Sequence, residues 1–142
     1  QKAPFFGDVF PLIEKVIMSE AHSIAELCYT GISTVAEYLE IKTTLVKTSR
    51  IYDNQDLKGA GRILSICQIE GADRYINPIG GMELYDKENF RAVGITLNFI
   101  KSKPHTYAQY KNAFVPWLSI IDVLMFNSVE HTQKLLKDFE LV

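Results

Sequence analysis

The stretch Asp73–Tyr85, DRYINPIGGMELY, restricts more than any other what this chain can fold into. Arg74-Tyr75-Ile76-Asn77 is rich in residues that suit a pleated, half-buried surface, which predicts a short strand. Pro78 ends it, because proline offers no N–H and pushes the residue before it out of the helical region. Gly80-Gly81 permits backbone conformations that other residues resist. Asp86 stands where an N-cap belongs, ahead of a helix running to about Val93. Strand, glycine-bearing loop and helix in that order describe a turn at the carboxyl edge of an open α/β sheet, where ligands bind. The same turn also serves as a plain structural connection.

The segments on either side supply the rest of such a fold. Val9, Leu12, Ile13, Val16 and Ile17 share a helical face over 8–18, with Asp8 as cap and Pro11 in the first turn. A second helix spans 23–39 on the stripe Ile24, Leu27, Cys28, Ile32, Val35, Ala36 and Leu39. Ser23 and Glu26 have capping-box spacing. Residues 43–51, TTLVKTSRI, are β-branched without helical period and predict a strand, followed by turn chemistry at Asp53-Asn54. A helix over 57–70 ends at Gly71, and a strand over 95–100 follows Gly94. The order β–α–β–α–β with short links implies parallel strands. Residues 101–116 form a long loop with two prolines, of the kind that is often functional. Two helices close the chain. Leu118, Ile121, Leu124 and Met125 share a face of the first, with Ser119 as cap, and Thr132, Leu135, Leu136 and Phe139 share a face of the second.

The expected architecture is a single α/β domain over 1–142, a layered fold with a small, mostly parallel sheet flanked by helices. The 142 residues suffice for one domain with a core. A net charge of −2 with no long run of one sign gives no reason to expect nucleic acid as partner. No apolar run reaches the length of a membrane span and the front carries no signal-peptide pattern, so cytoplasmic is the default location. Cys28 and Cys67 fall on apolar helix faces and read as buried free thiols. The three histidines lie far apart with no H-x-x-x-H, so no metal site is expected. Gly59-Ala60-Gly61 lacks the further residues of a phosphate loop and reads as small residues at a close helix contact.

Parallel strands would bring their carboxyl ends to one rim. That rim would carry Arg50, then Asn77 with Gly80 and Gly81, then Lys101 and Lys103, with His105 just beyond. Such a crevice suits an anionic small molecule, a nucleotide sugar or an acyl donor, with the cations on its phosphate or carboxylate. Cations at strand ends are also commonly just solvated. Tyr85, Tyr107 and Gln109 would orient a sugar or acyl group. His105 is the candidate general base, since imidazole titrates near neutrality. Ser119, Asp122 and His105 could be written as a triad, but Ser119 has no Gly-x-Ser-x-Gly elbow, and its spacing to Asp122 fits helix capping better.

Several motifs together resemble the WbqC-like family. They are Tyr75-Ile-Asn-Pro-Ile-Gly-Gly81, Leu84-Tyr-Asp86 with Phe90, Gly94-Ile95, Tyr107-x-Gln109 and Leu118-Ser-Ile-Ile-Asp-Val-Leu124. The resemblance covers nearly the whole chain and is strongest over 62–126. Each piece is weak alone; the Tyr-x-Gln with the Leu-Ser-Ile-Ile-Asp run is fairly specific. It implies a cytoplasmic bacterial protein of O-antigen or other surface-polysaccharide synthesis, with acyl or aminoacyl transfer to an amino sugar as the candidate chemistry. It specifies neither cofactor nor substrate, and a homodimer is open. Family members begin with a Gln-Pro-x-Tyr/Phe-x-Pro type segment that this sequence lacks. The expectation is therefore the C-terminal two thirds of such a protein, incomplete at the N-terminus. The rival expectation is a non-catalytic small-molecule-binding or scaffold module of the same pathway. That module would show an exposed apolar patch rather than a deep polar pocket.

Overall fold

The computed structural model describes residues 2–111 and 113–142; Gln1 and Asn112, which fall in the front segment and the long loop read from sequence, lie outside the described residues. Helices α1 (Phe6–Ile17), α2 (Ile24–Tyr38), α3 (Gly59–Ile69), α4 (Lys87–Arg91), α5 (Ile120–Phe126) and α6 (Val129–Leu136) combine with strands β1 (Arg74–Pro78), β2 (Thr96–Ser102) and β3 (Phe139–Leu141). This is a layered α/β fold with a small mixed sheet. The chain divides into two compact units. The first is Gln1–Lys47 with Pro104–Asp138; the second is Thr48–Lys103 with Phe139–Val142.

The first unit is helical. Its core holds Val9 of α1, Leu39 after α2 and Leu124 of α5, with Ile13, Val35 and Met125 packed on them. The Ser23 cap read at α2 forms, but Glu26 reaches back to His22 rather than to the N–H of Ser23. Ser23 Oγ accepts the Glu26 N–H at 3.2 Å, and a Glu26 carboxylate oxygen accepts the His22 N–H at 2.9 Å. The apolar stripe of α2 is only partly inward. Ile24, Leu27 and Ile32 are exposed, while Thr34 is buried. Cys28 is exposed as well, which corrects its reading as a buried thiol; Cys67 is buried and both are free.

The second unit holds the sheet, in the order β1-β2-β3. β1 and β2 run parallel, with Tyr75 opposite Leu97 and Asn77 opposite Phe99. Alternation places Leu97 and Phe99 on one face of β2. There they join Cys67 of α3 and Phe90 of α4 in the unit's core. Full burial of Phe90 and Phe99 stabilises by roughly 1.5–3 kcal/mol each. Asp86 caps α4, its carboxylate accepting the Glu88 N–H at 2.7 Å.

Two expectations about the sheet are corrected. Residues 43–51 form no strand; the chain is irregular to Thr48 and then makes a 3-10 turn over Ser49–Tyr52. The reason is local. Thr48 Oγ1 accepts the Arg50 N–H at 3.3 Å, and Arg62 reaches from α3 to the carbonyl and hydroxyl of Ser49 at 3.3 and 3.1 Å. A β-branched run with no ladder beside it yields to such side-chain bonds. The third strand comes instead from the C-terminus. Phe139, expected on the last helix, opens β3, which pairs antiparallel with β2.

Candidate functional site

In the first unit, two loop residues meet on the carboxylate of a residue more than ten positions further along the chain. The Tyr107 hydroxyl and the Gln109 side-chain amide each donate to Asp122 Oδ2 at 2.7 Å. Gln109 is 8 % exposed and also bonds both backbone groups of Val115. Its amide nitrogen donates to the Val115 carbonyl at 3.1 Å, and its Oε1 accepts the Val115 N–H at 2.7 Å. Gln109 therefore closes the loop between itself and Val115 while aiming a donor at α5. Burial and the neighbouring Asp122 carboxylate push the Tyr107 hydroxyl up to about 12, so it keeps its proton and remains a donor. Asp122 sits in the first turn of α5, behind the Ser119 cap, whose hydroxyl accepts the Ile121 N–H at 3.2 Å. Capping is thus the role Ser119 plays. Asp122 instead receives two donors, both on Oδ2.

His105 belongs to the same unit. Its Nε2 is buried without a hydrogen-bond partner and lies 3.6 Å from Asp138 Oδ2, within ion-pair but not hydrogen-bond range. Farther along the loop, Tyr110 and Trp117 adopt positive φ of 52° and 58°. These are uncommon values for non-glycine residues.

The other residues singled out by sequence lie in the second unit. Asn77 points inward from β1: its amide donates to the Tyr75 hydroxyl at 2.6 Å. Gly81 packs against the same side chain, where a Cβ would collide with Asn77 Oδ1 and stand 3.1 Å from Cγ. The expected glycine loop is a 3-10 turn over Ile79–Leu84, fastened to β1 by this contact. Gly80 faces open space. Tyr85 packs edge-on against Tyr75 and Phe90, with ring centroids 5.7 and 6.0 Å apart.

Arg50 stands on the 3-10 turn over Ser49–Tyr52, not at a strand tip, so the rim of three parallel strands is corrected to one parallel pair. Lys101 does follow the carboxyl end of that pair, but its register partner across β2 and β3 is Glu140. Opposite charges in register attract, which weakens Lys101 as an anion holder. Lys103 is exposed just past the end of β2.

The family model described as the WbqC-like protein family matches residues 1–134. This chain belongs to the WbqC-like protein family. No curated protein and no solved structure matches it. The matched span of this WbqC-like chain contains Tyr107, Gln109 and Asp122 together with His105 and the Asn77–Gly81 turn. Asp122 as the common acceptor is what sequence reasoning missed. The signal was present in the pairing of the Tyr-x-Gln motif with the Leu-Ser-Ile-Ile-Asp run. No helix among the described residues is long and apolar enough to cross a membrane.

Proposed function

We propose that this WbqC-like protein acts in bacterial surface-polysaccharide assembly, as O-antigen synthesis requires, transferring an acyl or aminoacyl group to an amino sugar. The observation that carries the reading is the Asp122 carboxylate, fixed by Tyr107 and Gln109 before any substrate arrives. A carboxylate oxygen so placed orients a sugar hydroxyl or ammonium without reorganising, the condition for efficient positioning. In the transfer itself, the sugar's amine nitrogen attacks the acyl carbonyl carbon and the bond to the donor's leaving atom breaks. The amine proton passes to His105 and from there to the leaving group. Gln109 and Tyr107 are positioning residues in this scheme. In the second unit, Asn77, Gly80, Gly81 and Tyr85 shape the turn after β1.

The test is a thermal-shift screen of nucleotide-linked amino sugars and acyl donors against the protein and its Asp122→Asn variant. An amino sugar should raise the wild-type midpoint and leave the variant unmoved. A panel that moves neither, or both equally, overturns the role of Asp122.

A second reading, a non-catalytic binding or scaffold module, is favoured by one observation. Trp117, Leu118, Ile120 and Ile121 form an exposed apolar run, with Trp117 73 % exposed. Sugar binding without turnover in the presence of any donor would select it.

A further inference from the structure

Helices α1, α2 and α5 of the first unit line a half-open cleft of about 250 Å³. Leu12, Ile13 and Val16 of α1, Gly31 and Thr34 of α2, and Ile120 of α5 are among its walls, and no charged side chain of the described residues lines it. Its hydroxyls are Thr34, 5 % exposed, and Ser119, whose oxygen already accepts the Ile121 N–H. An ionised or strongly polar ligand would lose its hydration there with nothing in exchange. Sites for drug-sized ligands run from about 300 Å³ upwards, so this one holds a smaller body.

Gly31 is the informative wall residue. It lies inside α2, where glycine weakens a helix relative to alanine. Its φ is not positive, so backbone conformation does not require it. A Cβ there would meet only Val16 Cγ1, at 3.7 Å, an ordinary contact, so crowding does not require it either. What glycine leaves at this position is room inside the pocket.

We propose that the pocket binds an unbranched aliphatic chain, with its polar head in solvent at the mouth, where Ile17 is 69 % exposed. A chain entering end-on fits a small, uncharged cleft between three helices better than a peptide helix, which needs a long groove. The proposal is independent of the reading built on Asp122. That residue is next to Ile121 on α5 but does not line the pocket.

Isothermal titration of the full chain with the carboxylates from butanoate to dodecanoate tests it. Affinity should rise about fourfold per methylene and then level off when the pocket is full. Gly31→Ala, which the geometry accommodates, should bring the levelling about one carbon earlier. Gly31→Leu, which places a side chain in the cleft, should weaken octanoate by about tenfold or more with unchanged circular dichroism. A series with no dependence on chain length overturns the proposal. So does wild-type affinity in Gly31→Ala and Gly31→Leu alike. A wild-type dimer in gel filtration that Gly31→Leu dissociates, with a flat alkyl series, would give this face to a second copy and overturn it too.

Discussion

Tyr107 shows how one side chain's chemistry follows from its neighbours. Its hydroxyl donates to Asp122 while Gln109 donates to the same oxygen, so ionising Tyr107 would set two negative groups against each other in a half-buried site. The hydroxyl is held at about 12 against an ordinary value of 10.0. A group whose folded-state value is raised contributes stability fully below its unfolded value and loses that contribution as pH rises through the folded one. The contribution of Tyr107 is therefore complete below pH 10 and disappears as pH climbs to about 12. Subtracting the tyrosinate absorbance titration of Tyr107→Phe from that of the wild type should reveal one step near pH 12. Asp122→Asn should move that step down, since the carboxylate is one of its causes. A Tyr107 step at the ordinary tyrosine value in the wild type would mean that the hydrogen bond to Asp122 does not hold in solution.

Elements built from local chemistry were legible in the sequence, and those built from distant partners were not. Ser23 with Glu26, Asp86 before α4 and Ser119 before α5 each cap a helix within a few residues, so spacing alone revealed them. The 43–51 run misled because β-propensity acts only where a ladder exists, and here Arg62 holds the backbone at Ser49 instead. β3 is too short to show a period. The convergence on Asp122 joins residues 15 and 13 positions away, beyond any local pattern. The glycine pair was legible as a turn, but its two members differ in what they do. Gly81 lies against Asn77, which is bonded to Tyr75, so a methyl group there must break the fastening between β1 and the turn. Gly81→Ala should cost about 1–3 kcal/mol in denaturant unfolding. Gly80→Ala faces open space and should stay within about 0.5 kcal/mol of wild type. Equal stability of the two variants would show that the Asn77 contact does not form.

At the scale of the whole molecule, the chain passes between its two units at 47/48, at 103/104 and at 138/139. The last passage brings β3 onto the sheet from beyond residue 134, where the family match ends. Ile100 pairs with Leu141 and Lys101 with Glu140, and Phe99 and Val142 exchange backbone hydrogen bonds at 2.8 and 3.0 Å. Without β3, β2 becomes an edge with unpaired backbone groups, and Lys101 loses the carboxylate in register with it. Deleting Phe139–Val142 should therefore lower stability by about 2–4 kcal/mol, from the lost ladder and the apolar surface of Phe139 and Leu141. For a chain of this length that is a fall of roughly 5–15 °C in midpoint. The Tyr107 step near pH 12 belongs to the first unit and should survive the deletion unchanged. A truncated protein that melts with the wild type would show that β3 adds nothing to the sheet. One that also loses the Tyr107 step would show that the last four residues support the first unit as well as the second.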